Sequence, residues 1–306
     1  MDRHKKFSTI SVLNREAEEV QFLSACYVLD PNKFRIIKDS WKKTDKYDAR
    51  NMVKALWVHL VSGECRIPCV YKPSATTREL RKLFSQYELL NRQIRMLKNN
   101  IQALLAENGI VISNKEGAHL LTPQQGPLLL KQLDISPASR IGIEVCLELL
   151  WAVLEKKEQL HREILRVGEP LQQEVKQLIT IKGITPLTAL AFLADVGDVR
   201  RFKSLRKMNA YLGLVPRVKA SGGKSKSGHI NRESRELTST ILSQSICHVS
   251  NSSPYLRKFY CEVCSIMRRM LMTGEEFRWV EHRLFERKLK EYEKVLVEMR
   301  EERNSA

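Results

Sequence analysis

Residues 179–194, Ile179-Thr-Ile-Lys-Gly-Ile-Thr-Pro-Leu-Thr-Ala-Leu-Ala-Phe-Leu-Ala194, decide how the chain is read. The run predicts a helix, a glycine turn and a second helix. Thr185-Pro186 suits an N-cap followed by proline at the first helical position, where the missing N–H has no partner to lose. Helices joined in this way can aim backbone N–H groups at a phosphate. The same pattern also serves as a plain turn between two helices.

Downstream lies Gly213-Leu-Val-Pro-Arg-Val-Lys-Ala-Ser-Gly-Gly-Lys-Ser-Lys-Ser-Gly-His-Ile-Asn-Arg232, with Arg217, Lys219, Lys224, Lys226 and Arg232 and no acidic residue. Its glycines permit close approach of the backbone to a ligand. The expectation is a basic Gly/Ser loop between helices, suited to a phosphate backbone; a flexible surface loop is the alternative. Helical patterns then run to the end, broken at Ser252-Ser253-Pro254. The charged tail from Phe285 to Arg303 reads as a helix with a solvated amphipathic face.

Upstream, Leu80, Leu83, Tyr87, Leu90, Ile94, Leu97, Ile101 and Leu104 alternate steps of three and four, a heptad seam. A second seam runs Ile143, Cys146, Leu150, Val153, Lys157, Leu160, Ile164, Val167, Leu171, Glu174, Leu178, with Lys157 and Glu174 as polar interruptions. Two long helices joined by a loop suggest an antiparallel pair within one chain or a coiled-coil dimer. Residues 109–140, rich in Gly and Pro, read as an irregular connection between them. Nearer the N-terminus, residues 7–13, 26–29 and 34–37 are strand candidates, and Met52, Val53, Leu56 and Leu60 recur at helix spacing from Asp45 to Gly63.

Composition narrows the class. The 306 residues carry 52 Lys and Arg against 35 Asp and Glu, a formal charge of +17 that favours a polyanionic partner, nucleic acid before an acidic membrane surface. A hydrophobic fraction of 43% supports a packed core rather than a disordered chain. No run approaches the length of a membrane span, no secretory signal is visible, and an odd, thin scatter of seven cysteines suits reduced thiols. Cys65, Cys69, Cys261 and Cys264 could meet at a zinc ion, but the second pair falls in a helical pattern and reads as buried thiols.

Several motifs follow one another within residues 178–228: Leu178-Ile-Thr-Ile-Lys-Gly-Ile-Thr-Pro-Leu-Thr-Ala189, Gly197-Asp-Val-Arg-Arg-Phe202, Ala210-Tyr-Leu-Gly-Leu-Val-Pro-Arg217 and Ala220-Ser-Gly-Gly-Lys224. In order and spacing they resemble the C-terminal domain of the IS110/IS116/IS902 family of insertion-sequence transposases. Lys43-Thr-Asp-Lys-Tyr-Asp-Ala49 is similar to that family's K-T-D-x-x-D-A segment, and Asp2-Arg-His-Lys-Lys-Phe7 resembles the first strand of its RuvC-like nuclease domain. The resemblance implies an α/β RNase H/RuvC-like remnant at 1–70 and long coiled-coil helices at 71–178. A mainly α-helical C-terminal transposase domain with a helix-hairpin-helix-like element would occupy 179–306.

It implies a DNA transposase or recombinase that cleaves and rejoins DNA through Ser221, helped by Mg²⁺ on Asp2, Asp45 and Asp48. Asp45 and Asp48, at i and i+3, share one helix face, and paired carboxylates are what Mg²⁺ accepts while keeping waters and a substrate phosphate. Lys182, Gly183, Arg217, Lys219, Gly222, Gly223, Lys224, Lys226 and Arg232 are the expected nucleic-acid contacts. DNA, a structured guide RNA and further copies of the chain are the implied partners, in the cytoplasm of a bacterium or archaeon close to the nucleoid. The interval from Asp2 to Asp45 is shorter than the family's pattern, and no glutamate stands where its second carboxylate belongs. The chain therefore reads as a truncated or internally deleted member. A catalytically dead nucleic-acid-binding remnant is the alternative, and a coiled-coil assembly protein the alternative of another class.

Overall fold

The computed structural model describes residues 44–62, 71–212, 216–221, 224–230, 260–278 and 280–305. The chain divides into two compact units, Met1–Pro73 and Ser74–Ala306. In the first, helix α1 spans Asp45–Ser62, the bounds that the apolar spacing predicts, and buries Ala49 and Ala55. The three expected strands, and with them the α/β character of this region, lie outside the described residues. No helix among the described residues is long and apolar enough to cross a membrane.

The second unit is built on two long helices, α2 (Ala75–Glu107) and α5 (Pro137–Val167). Tyr87 meets His161, Asn100 meets Cys146 and Asn108 meets Ser139, so the two run antiparallel within one chain. Caps fix both ends. Ser74 accepts from the Thr77 N–H at 3.1 Å, and Ser136 from the Ser139 N–H at 3.2 Å. Asn108 joins them, donating to Leu104 O at 2.8 Å while its own carbonyl accepts from Ser136 N–H at 2.9 Å. The first seam is close to the predicted one, but Phe84 and Leu105 are buried where Leu83 and Leu104 are only partly so. A helix of 3.6 residues per turn drifts off a heptad line. At the Phe84 end α2 is also covered by a second partner, described below, which widens its buried face.

Residues 109–140 are not irregular throughout. Two short helices form there, α3 (Asn114–Leu120) and α4 (Gly126–Gln132), and Leu120, Leu130 and Ile135 close a small core with Ile101, Leu105, Ile143 and Leu147. Apart from Gly117, which lies inside α3, the Gly and Pro residues fall at the ends of these elements or between them. At Gly126 a Cβ would collide with the Leu120 carbonyl, so glycine is required by close approach.

The second seam does not continue to Leu178. It stops at Gly168, followed by a 3-10 turn at Glu169–Leu171 and then α6 (Gln172–Leu178). Pro170 has no N–H to continue the ladder, and a Cβ at Gly168 would press on the Leu190 methyls. Beyond α6 comes α7 (Pro186–Val196), whose residues from Thr188 to Val196 are all buried. It packs against α2, α5 and α6. Two arginines serve its last carbonyls: Arg81 donates to Ala194 O and Asp195 O at 2.7 and 3.0 Å, and Arg201 to Val196 O at 2.9 Å. A 3-10 turn (Val199–Arg201) and α8 (Leu205–Tyr211) follow, then strands β1 (Pro216–Ser221) and β2 (Lys224–Ile230).

Helices α9 (Tyr260–Thr273) and α10 (His282–Ser305) complete the unit. The tail is not simply solvated. Tyr292 and Leu296 are buried in the main core, and Phe285, Leu289, Val295 and Met299 pack against it, so one side of α10 is a wall of the domain. Arg300 secures it on the 3-10 turn, donating from Nε and Nη2 to Glu169 at 2.7 and 2.6 Å, and Lys176 of α6 pairs with Glu293.

The polar interruption at Lys157 also has a defined place. Its ammonium stands 4.9 Å from the centre of the Tyr87 ring, which His161 meets edge-on. Burial, seconded by Lys157, holds the His161 pKa below 6.5, with Glu158 opposing. Between the folded value and 6.5 the unfolded chain binds more protons, so acidification through that window favours unfolding. Urea midpoints should therefore fall as pH drops below 6.5, and His161→Gln should flatten that part of the profile. An unchanged profile would contradict the assignment.

Candidate nucleic-acid interface

The turn between α6 and α7 is tightly determined. Thr180 Oγ1 donates to Gln177 O at 2.6 Å, the Ile181 N–H to Leu178 O at 3.2 Å and the Ile184 N–H to Ile181 O at 3.1 Å. Gly183 sits at φ +90°, a region that side chains rarely enter. Thr185 then caps α7 by accepting from the Thr188 N–H at 3.2 Å, with Pro186 at the first helical position as predicted. The N–H groups of Lys182 and Gly183 have no hydrogen-bond partner among the described residues, and both residues are half-buried. The result is an N–H-presenting corner of the kind that receives an anion.

Two residues that the sequence reading passed over hold this corner from the other side. Lys288 of α10 donates to Ile179 O at 2.9 Å and to Ile181 O and Ile184 O at 3.0 Å. Glu281, just before α10, pairs with the Lys182 ammonium at 2.7 Å. The Lys182 side chain is therefore committed to a half-exposed ion pair, and its backbone is what the turn offers. Burial, with Arg287 beside it, lowers the Lys288 pKa to about 8, while the carbonyls and Glu281 favour the charged form; the ammonium stays protonated at neutral pH. The signal was present in the sequence as a lysine set within the apolar stripe Phe285, Leu289, Tyr292 and Leu296.

The basic stretch is not a loop over its whole length. β1 and β2 form an antiparallel hairpin, with Ser221 opposite Lys224, Lys219 opposite Lys226, Ala220 opposite Ser225, and Val218 opposite Ser227. Alternate positions of a strand share a face, as do directly opposed positions. In this ladder Ser221 and Lys219 are each paired with a lysine, and Ala220 and Val218 each with a serine. The clue was Gly222-Gly223, a two-residue Gly-Gly break of the kind that joins paired strands. An irregularity between Pro216 and Val218 takes Arg217 out of this simple alternation. Gly222, Gly223 and Arg232 lie outside the described residues.

Asp45 and Asp48 stand in the first turn of α1, and Thr44 accepts from the Tyr47 N–H through both its carbonyl, at 3.0 Å, and its hydroxyl, at 3.4 Å. Asp2 lies outside the described residues. No group of three or more metal-ligating side chains occurs among the described residues.

Residues 175–261, which contain both the turn and the hairpin, match the family described as Transposase IS116/IS110/IS902. Over this segment the chain resembles that transposase family. Curated relatives agree. A probable family 20 transposase of Pseudomonas aeruginosa is 26% identical over 212 residues, covering 65% of this chain and 58% of the relative. The transposase for insertion sequence element IS1111A of Coxiella burnetii is 25% identical over 203 residues, covering 65% and 53%. A putative transposase of Sinorhizobium fredii, y4qE, is 24% identical over 217 residues, covering 71% and 50%. The chain thus spans between half and three-fifths of the length of these transposases.

The cap at the turn is directly testable. Thr185→Ala removes the acceptor of the Thr188 N–H and should lower the unfolding free energy by about 1 kcal/mol in urea titration. No loss would mean that Pro186 alone determines the start of α7.

Proposed function

We propose that this chain is a transposase of an insertion sequence that cleaves and rejoins DNA through Ser221. The observation that carries the reading is the hairpin register: within the family-matched segment, Ser221 is paired with Lys224, and Lys219 with Lys226. Ammonium groups around a phosphate offset its charge and that of the pentacoordinate transition state. The Ser221 hydroxyl attacks phosphorus, the bond from phosphorus to one sugar oxygen breaks, and the serine proton ends on that oxygen as a free hydroxyl. Strand joining is the reverse attack, by a new sugar hydroxyl on the phosphoserine. The corner at Lys182–Gly183 grips a neighbouring phosphate through backbone N–H groups.

Asp45 and Asp48, with Asp2, are the residues that would hold Mg²⁺. The ion supplies a Lewis acid for a phosphoryl oxygen. A net charge of +17 suits polyanionic partners, DNA and a structured RNA, with sequence recognition delegated to base pairing. The family match weighs against an assembly protein whose basic segment is incidental.

A covalent-adduct assay tests the reading. The full chain is incubated with its flanking DNA, the element's RNA and Mg²⁺, denatured, and probed for protein-linked DNA. We expect an adduct that disappears in Ser221→Ala and in Asp45→Ala, while salt-sensitive DNA binding of Ser221→Ala is retained. An adduct that survives Ser221→Ala would overturn the nucleophile. Salt-sensitive binding with no adduct from the unaltered chain would identify a remnant that binds without cutting.

Self-association is part of the same proposal. The α2–α5 seam is satisfied within one chain, yet α5 leaves Ile141, Val145 and Leu149, spaced by four, at 62%, 50% and 52% exposure. A second copy bringing the same stripe would bury it, as in an isologous helix pair. Val145→Glu should shift the sedimentation of the chain toward the monomer, and an unshifted profile would place the contact elsewhere.

A further inference from the structure

Three main-chain carbonyls of one short turn converge on a single ammonium. Ile179 O, Ile181 O and Ile184 O lie 2.9, 3.0 and 3.0 Å from Lys288 Nζ, and the isoleucines that carry them are buried. An ordinary basic cap serves the last carbonyls of one helix. Here Ile179 adjoins α6, whereas Ile184 lies beyond Gly183 on the limb that enters α7, so the ammonium bridges both sides of the corner. A lysine has three donors and no acceptor, and three acceptors meet it. Carbonyl oxygens gathered in this way are the ligands with which proteins replace the hydration shell of a potassium ion.

We propose that Ile179, Ile181 and Ile184 form a monovalent-cation site, and that Lys288 is the tethered cation that fills it. The positive charge arrives covalently attached to α10 instead of being drawn from solution. With Glu281 on Lys182, it makes the tail helix the positioning element of the N–H groups at Lys182 and Gly183. This last role rests on the nucleic-acid reading above; the cation site itself does not.

The test removes the tether and offers an ion in its place. The full chain carrying Lys288→Ala, which clears the lysine stem, is compared with Lys288→Met, which keeps a stem without charge. Each is measured in potassium, ammonium or tetramethylammonium chloride at equal ionic strength. In tetramethylammonium, Lys288→Ala should melt about 4 °C below the unaltered chain. It should also bind a duplex oligonucleotide about tenfold more weakly, the scale of one lost charged hydrogen bond. Potassium or ammonium should restore both for Lys288→Ala and neither for Lys288→Met, while the unaltered chain responds equally to all three salts. Indifference of Lys288→Ala to the cation, its failure to fold in every salt, or equal recovery by Lys288→Met would each overturn the cation site. Cation-dependent melting of Lys288→Ala in a chain that binds no duplex in any salt would uphold the site and overturn the positioning role.

Discussion

Helix α7 has no face to give to water, and most of the second unit exists to surround it. A helix that is apolar on every side is stable only when enclosed. Leu190, Phe192 and Leu193 each contribute about 1.5–3 kcal/mol by leaving water, and the alanines between them let neighbouring helices approach closely. Two of those neighbours, α2 and α5, are long because they also continue past α7 to form their own seam and a second small core. The cost of burying the helix ends is offset at both termini. Thr185 and Pro186 settle the start, and Arg81 and Arg201 take up the last carbonyls.

The turn leading into α7 is consequently tied down by hydrogen bonds on both limbs, which is what the proposed phosphate contact would need. Backbone N–H groups bind a phosphate well only when they are already aimed, because no energy is then spent on ordering them. The aiming comes from far along the chain. α10 lays its apolar side on the core and brings Lys288 to the inside of the corner and Glu281 to its rim. Its other ion pairs, Lys176 with Glu293 and Arg300 with Glu169, sit at the surface and add little individually. Their effect is to hold the register of the helix, and with it the place of Lys288.

Much of this was legible beforehand. The bounds of α1, the antiparallel alternative for the long helices, and the helix, glycine turn and capped helix at 179–194 all follow from local rules of period, capping and proline placement. The linked motifs at 178–228 led to the family, and the matched segment at 175–261 bears that out. Gly168 and Pro170 also lay in view, and a stricter weight on proline would have ended the second seam where α5 ends.

The sequence by itself determined most of the helical segments, where the charge resides, and which family the C-terminal segment resembles, since each depends on neighbours in the chain or on a linear pattern. Tertiary structure decided that Phe84 rather than Leu83 is buried, because a second helix covers that side of α2. It decided that residues 114–120 and 126–132 are helical, because only the end of the α2–α5 pair offers their leucines a core. The strand register that pairs Ser221 with Lys224 required two segments to meet, although Gly222-Gly223 hinted at it. Least visible was Lys288. A lysine in a charged tail is ordinarily solvated, and only the folded chain brings three carbonyls from residues more than a hundred positions away to receive it.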